Sequence, residues 1–192
     1  MEKDGKQTDL RIRRTHKLLV EALVELMIQP EKKYSSLTIN QICEYAMVHR
    51  TTFYKHFEDK DALLAFTLKH YQEEAFKIPL SVRLTKPFQV LEQIFNHEKF
   101  GKVLESQMND ELFINRMYYH NRDIQIQENQ ELKRLCKNHK IPIELIITYH
   151  SGVLTTLTAW WFQNRNNVLA EEMDEYFHQL ISQDIFQLEK YE

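Results

Sequence analysis

Between Leu10 and Met27 the apolar positions Leu19, Ala22, Leu23 and Leu26 keep the i, i+3, i+4, i+7 spacing of one helix face. Pro30 and the polar run EKKYSS end that helix. The stretch INQICEYA repeats the spacing in miniature, with Ile39, Ile42, Cys43 and Ala46 in one stripe. Thr38 stands before it as an N-cap, because its hydroxyl can accept from a free first-turn amide. A tight connection, MVH, leads to RTTFYKH, where Phe53 and Phe57 are four apart and share a face. Asp59 is placed to cap KDALLAFTLKHYQEEAF, which runs to about Phe76, with Pro79 just beyond. After Pro87 come FQVLEQIFNHE and FGKVLES, then a long polar-aromatic helix from about Asp110 to Lys137. Pro142 opens IELIITYHSGVLTTLTAWWFQN, and a final amphipathic helix covers about Leu169 to Leu188. The pattern predicts an all-α fold of about nine helices.

Composition sharpens this. Only three glycines and four prolines occur in 192 residues, which leaves little turn chemistry for hairpins. Hydrophobic residues at 43% and charged residues at 28% are ordinary for a soluble globular chain with an ample core. No apolar run approaches a membrane span, and the first thirty residues mix charge with apolar positions, so neither a signal peptide nor a membrane anchor is expected. Cys43 and Cys136 lie far apart without CxxC context and read as buried thiols of a reducing cytoplasm. Net charge is −3, but residues 1–60 hold 11 basic against 9 acidic side chains, so the basic part is N-terminal. The nine histidines include no i, i+4 pair, and no HExxH, Cys/His cluster or glycine-rich phosphate loop occurs. Glu171 and Glu172 open the last helix, where carboxylates favour the helix dipole. No enzyme, metal or cofactor is expected.

Two short helices joined by a three-residue turn cannot fold alone. Packed on the first helix they make a helix-turn-helix unit whose last helix can enter a DNA major groove. With Phe53 and Phe57 turned inward, the outward face carries Arg50, Thr51, Thr52, Tyr54, Lys55 and His56. Arginine can bond guanine bidentately and a threonine methyl can meet that of thymine, while hydroxyl, lysine and histidine groups suit phosphates. No acid interrupts residues 49–56.

The order LTINQICEYAMVHRTTFYKHFEDKDALL resembles the DNA-binding domain of the TetR family of bacterial transcription regulators. The matching features are Thr38 opening its helix, Ile39–x–x–Ile42, Ala46–x–Val48 at the turn, Thr52-Phe53-Tyr54, His56-Phe57 and the Lys60-acid-x-Leu start of the next helix. The resemblance implies backbone contacts from Thr38, Thr52, Tyr54, His56 and Lys60, and base reading from His49, Arg50, Thr51 and Lys55. It divides the chain into a DNA-binding domain, 8–58, and an effector-binding and dimerisation domain, 59–192, with 59–77 as connector. Two positions depart from the family pattern: Met47 stands where glycine is usual, and His49 where serine often caps the recognition helix. Met47 costs energy only if its φ is positive.

The resemblance further implies a cytoplasmic homodimer, most simply a repressor released from a pseudo-palindromic operator by a small molecule. Apolar stripes in the last two helices suit a four-helix interface. The candidates are Gly152, Leu154, Leu157, Ala159, Trp161, Met173, Phe177 and Leu180, with core filling as the alternative. Phe95, Phe100, Met108, Phe113, Met117, Tyr118, His120, Tyr149 and His150 are the candidate lining of a ligand pocket for a partly apolar effector. For these too, core filling is the alternative. HSGVLTTLTAWWFQN resembles the branch of the family containing dihydroxyacetone-operon regulators, some of them activators answering to a protein partner. Two other readings stay open: an activator or co-regulator controlled by such a partner, and a helical interaction module with a degenerate DNA-binding domain.

Overall fold

The structure, a computed structural model, describes residues 2–73, 75–96, 98–135 and 141–181. Those residues form eleven α-helices and two 3-10 turns, with no strand. Among the described residues no helix is long and apolar enough to cross a membrane. Cys136, Lys137 and Leu188 lie outside the described residues.

Helix α1 (Glu2–Ile28) is the long scaffold, and Leu19, Leu23 and Met27 on its buried face are fully enclosed. Against it packs α2 (Ile39–Ala46), which in turn meets α3 (Arg50–Phe53). Helix α4 (Lys60–Gln72) lies on α1 and runs on to α8, tying the head to the body. Local chemistry fixes these boundaries. Gln41 N donates to Thr38 Oγ1 at 3.3 Å while Thr38 N donates to Gln41 Oε1 at 2.9 Å, a capping box that starts α2. Asp59 Oδ1 accepts from Ala62 N at 2.8 Å and starts α4.

The body contains α5 (Leu80–Thr85), α6 (Pro87–Phe95), α7 (Glu98–Gln107), α8 (Glu111–Gln127), α9 (Asn129–Leu135), α10 (Ile143–Asn164) and α11 (Ala170–Leu180). Two features depart from the sequence reading. Residues 80–85 form a separate helix, and the long helix expected from 110 to 137 breaks at Glu128 into α8 and α9. Helix α7 lies close on the end of α6. A Cβ at Gly101 would sit 2.3 Å from the Phe95 carbonyl oxygen, so only glycine permits that approach. By contrast a Cβ at Gly152 meets only a Tyr118 ring carbon at 4.0 Å, so nothing within the chain requires glycine there.

Two carboxylates accept from backbone amides far away in sequence. Asp110 caps α8 through Phe113 N at 3.1 Å and also accepts from Ser35 N at 2.7 Å. Asp174 of α11 accepts from Phe88 N at 2.8 Å and Gln89 N at 3.2 Å, holding the start of α6. Burial pushes its carboxyl up to about 6, against the pull of those two amides.

Candidate nucleic-acid interface

The recognition segment is built outward from two buried rings. Phe53 is fully buried and Phe57 nearly so, each worth about 2 kcal/mol of burial. The α-helical part ends at Phe53, and tight turns continue it until Phe57 N donates to Phe53 O at 2.9 Å. His49 caps the segment through Nδ1, 3.4 Å from Thr51 N and 2.8 Å from Thr51 Oγ1. A histidine thus performs the capping expected of serine. His49, Arg50, Thr51, Tyr54 and Lys55 are exposed, while Thr52 and His56 are half-buried. Arg50 reaches back over Tyr54: Nη2 donates to the phenol oxygen at 3.1 Å, and the guanidinium lies 5.4 Å from the ring centre. Thr38 is exposed at the start of α2.

Lys60 differs from the expectation for a phosphate contact. Its Nζ donates to the carbonyls of Tyr34, Ser35 and Leu37 at 2.9, 3.2 and 2.8 Å, inside the chain. Burial lowers its pKa. Met47 settles the turn geometry: its φ of 51° is left-handed and its side chain is 94% exposed, so the conformation costs energy without a packing return. Behind the recognition segment, His16 of α1 packs edge-on to His56 at 5.0 Å and against Phe57 and Phe66. Burial, then the nearby His56, lowers the His16 pKa.

A polar junction joins this head to the body. Tyr34 is fully buried; its hydroxyl donates to Asp61, whose other oxygen pairs with Arg116 of α8 at 2.6 Å. Tyr34 N donates to Gln107 Oε1 at 2.8 Å, and Gln107 Nε2 donates to Met27 O and Lys32 O, each at 2.8 Å. The recognition unit is therefore bonded directly to the start of α8.

The body holds a pocket of about 90 Å³ among α4, α5, α6, α8 and α10, lined by Gln72, Leu80, Arg83, Leu84, Val90, Leu91, Ile94, Gln125, His150 and Leu154 among others. A neighbouring cleft of about 470 Å³ between α4 and α8 is lined by Phe66, Lys69, His120 and Asp123. A groove of about 400 Å³ between α8 and α10 touches Met108, Tyr118 and Gly152. Of the nine pocket candidates from sequence, His150 lines the first space, His120 the second, and Met108 and Tyr118 the third. Phe95, Phe100, Phe113 and Met117 are core instead, packed for example as Phe100 on Tyr71 at 4.7 Å and Phe95 on Phe162 at 4.4 Å. Tyr149 is 44% exposed on the outer face of α10. Sequence reasoning missed Gln72, Arg83 and Gln125, because polar residues in polar stretches carry no pattern that marks burial. Burial lowers both His120 and His150 to about 4, so each is neutral at pH 7. Among the described residues no group of three or more His, Cys, Asp or Glu could hold a metal ion.

The dimer candidates also divide. Trp161, Met173 and Phe177 are buried within the single chain, where Phe88 packs on both Trp161 and Phe177. Gly152, Leu154, Leu157 and Ala159 are half-buried, and Leu180 is exposed. The apolar residues left outside are Leu145, Tyr149 and Trp160 on α10 and Tyr176 and Leu180 on α11.

With this geometry in view, residues 19–65 match the family model described as bacterial regulatory proteins, tetR family. A TetR transcriptional regulator from Streptococcus agalactiae 2603V shares the fold at 22% identity, covering 90% of this chain and 96% of that one, with a TM-score of 0.51. A TetR-family protein from Syntrophomonas wolfei shares it at 15% identity, covering 87% and 94%, with a TM-score of 0.50. The dihydroxyacetone kinase operon activator DhaS aligns at 17% identity over 86% and 90%, with a TM-score of 0.46. No curated protein matches the sequence. Residues 19–65 thus form a domain of the tetR regulatory-protein type, and the chain shares its overall fold with the first two of those regulators.

Proposed function

We propose that the chain acts in the cytoplasm as a homodimeric repressor, with a DNA-binding head at 8–58 and a body at 59–192 that binds a small molecule and dimerises. The observation that carries this reading is the recognition face: His49, Arg50, Thr51, Tyr54 and Lys55 stand outward without an acid, on a segment anchored by buried Phe53 and Phe57. Arg50 and Lys55 suit base edges, and Thr38, Thr52, Tyr54 and His56 suit the phosphate backbone. Dimerisation is supported by Leu145, Tyr149 and Trp160, spaced four and eleven apart on one face of α10, with Tyr176 and Leu180 on α11. Two such heads about 34–36 Å apart would read successive major grooves of a pseudo-palindrome. A ligand that prefers the geometry unable to span both half-sites would release the operator.

The test is selection of sites from a random duplex pool, followed by binding at two salt concentrations and sedimentation of the free protein. A pseudo-palindrome bound by a dimer with a steep salt slope is expected. Arg50→Ala should weaken operator binding about tenfold or more without altering the dimer. Unchanged affinity in that variant would remove the recognition face from the mechanism.

A further inference from the structure

The pocket among α4, α5, α6, α8 and α10 carries an unmet polar demand. Gln125 is 8% exposed and lines the pocket, and its Nε2 lies 3.0 Å from His150 Nδ1, but its Oε1 is enclosed without a hydrogen-bond partner. A buried acceptor in that state costs free energy until a donor arrives. The surrounding wall is apolar, with Leu84, Val90, Leu91, Ile94 and Leu154. The one full charge pair on the wall is closed upon itself: Arg83 Nη1 donates to Glu128 Oε2 at 3.1 Å, Nη2 meets the other oxygen, and Nε donates to Ile78 O at 3.0 Å. Burial keeps His150 neutral at pH 7. An ionic occupant would meet no opposite charge, and an occupant lacking a donor would leave Oε1 unmet.

Size narrows the class. The space of about 90 Å³ is smaller than the engineered cavity of roughly 150 Å³ that accepts benzene. It admits on the order of four or five non-hydrogen atoms, and a lone water would leave most of the apolar wall without contact. We propose that this pocket binds a small uncharged molecule of the short-chain alcohol or primary-amide class, its hydroxyl or amide N–H donating to Gln125 Oε1 and its carbons lying on Ile94 and Leu154. This deepens the reading of the body as a small-molecule-binding domain and rests on it. Gln72, at the end of α4, lines the same pocket and bonds His120 of α8 at 2.8 Å, so an occupant touches the helix that leads to the DNA-binding head.

The test titrates the full-length protein with matched probes, following the methyl signals of Leu84, Val90, Ile94 and Leu154 by NMR. 2-Propanol is compared with acetone, which has the same number of heavy atoms but no donor, and propionamide with propionate, which carries a charge. Saturable shifts are expected for the alcohol and the amide, with at least tenfold weaker binding of acetone and propionate. Gln125→Leu should weaken the alcohol at least tenfold, and Ile94→Phe, which fills the space without touching the amide, should abolish binding. Equal binding of acetone and 2-propanol would overturn the proposal, as would the absence of any saturable shift, which would mark a water-filled space only. Operator affinity measured on the same samples separates the two claims. Probes that bind at Gln125 without changing operator affinity uphold the ligand class and remove small-molecule control. Operator binding with no probe binding keeps the DNA-reading function and removes this proposal.

Discussion

Two glutamines near the two ends of α8 do opposite things. Gln107, fully buried just before the helix, has every polar atom engaged: Oε1 accepts from Tyr34 N, and Nε2 donates to Met27 O, Lys32 O and Ser106 Oγ. Gln125, almost as buried, has Oε1 without a partner. The first end is a finished junction whose geometry is over-determined by hydrogen bonds. The second is an unfinished one, where an added molecule can change the energy. Since α8 is continuous from Glu111 to Gln127, a demand created at one end is mechanically joined to the head bonded at the other.

The contrast breaks most severely at Gln107. Replacement by leucine strands Tyr34 N–H and the Lys32 carbonyl, leaving Met27 O to Ser106 Oγ alone, and should destabilise the protein by about 3 kcal/mol in urea unfolding. A loss no larger than that of Gln125→Leu would erase the distinction between the two ends. Acid should weaken the unfinished end next. His120 and His150 titrate near 4 when folded and near 6.5 when unfolded, so the unfolded chain takes up protons first as pH falls. Stability is therefore full above about 6.5 and lost towards 4, by on the order of 2–3 kcal/mol for each histidine. Asp174 runs the other way: its carboxyl, raised to about 6, stabilises on protonation and opposes the loss. Thermal melts at pH 7 and pH 4.5 should show a steeper acid loss in Asp174→Asn than in the parent.

Gln125→Leu comes third, within about 1 kcal/mol of the parent, because removing the unmet acceptor offsets the lost bond to His150. The smallest change is expected at the turn. Met47→Gly should stabilise by about 0.5 kcal/mol, the relief of the left-handed φ being reduced by glycine's greater freedom when unfolded. Denaturation midpoints would check both.

The head was largely legible because its signals are local. INQICEYA is α2 to the residue, and Thr38 and Asp59 cap as their positions imply. Each feature depends on neighbours within four positions. The body defeats such reading for a physical reason visible in α10. That helix is apolar around most of its circumference, so the stripe through His150 and Trp161 and the stripe through Tyr149 and Trp160 look alike in sequence. Only packing against α8, α6 and α11 decides that the first turns inward, and it displaces Trp161 from the expected dimer face. The separate helix 80–85 and the break at Glu128 are likewise fixed from a distance, by Arg83 gripping Glu128 across 45 residues. The pocket is assembled from five such distant helices, which is why only His150 among its lining was expected there.

Asp174 has one more consequence, and it concerns time. The start of α6, a wall of the pocket, is held by a carboxylate that follows Phe88 by 86 residues. At about 5–20 residues per second, a ribosome supplies that cap on the order of ten seconds after α6 has been made. Through that interval the head has all its own residues, while α6 lacks the carboxylate that holds its start. The head can thus fold before the start of α6 is capped. Protease cleavage of stalled chains extended by a C-terminal linker should show α6 becoming protected only once residue 174 has emerged from the ribosome.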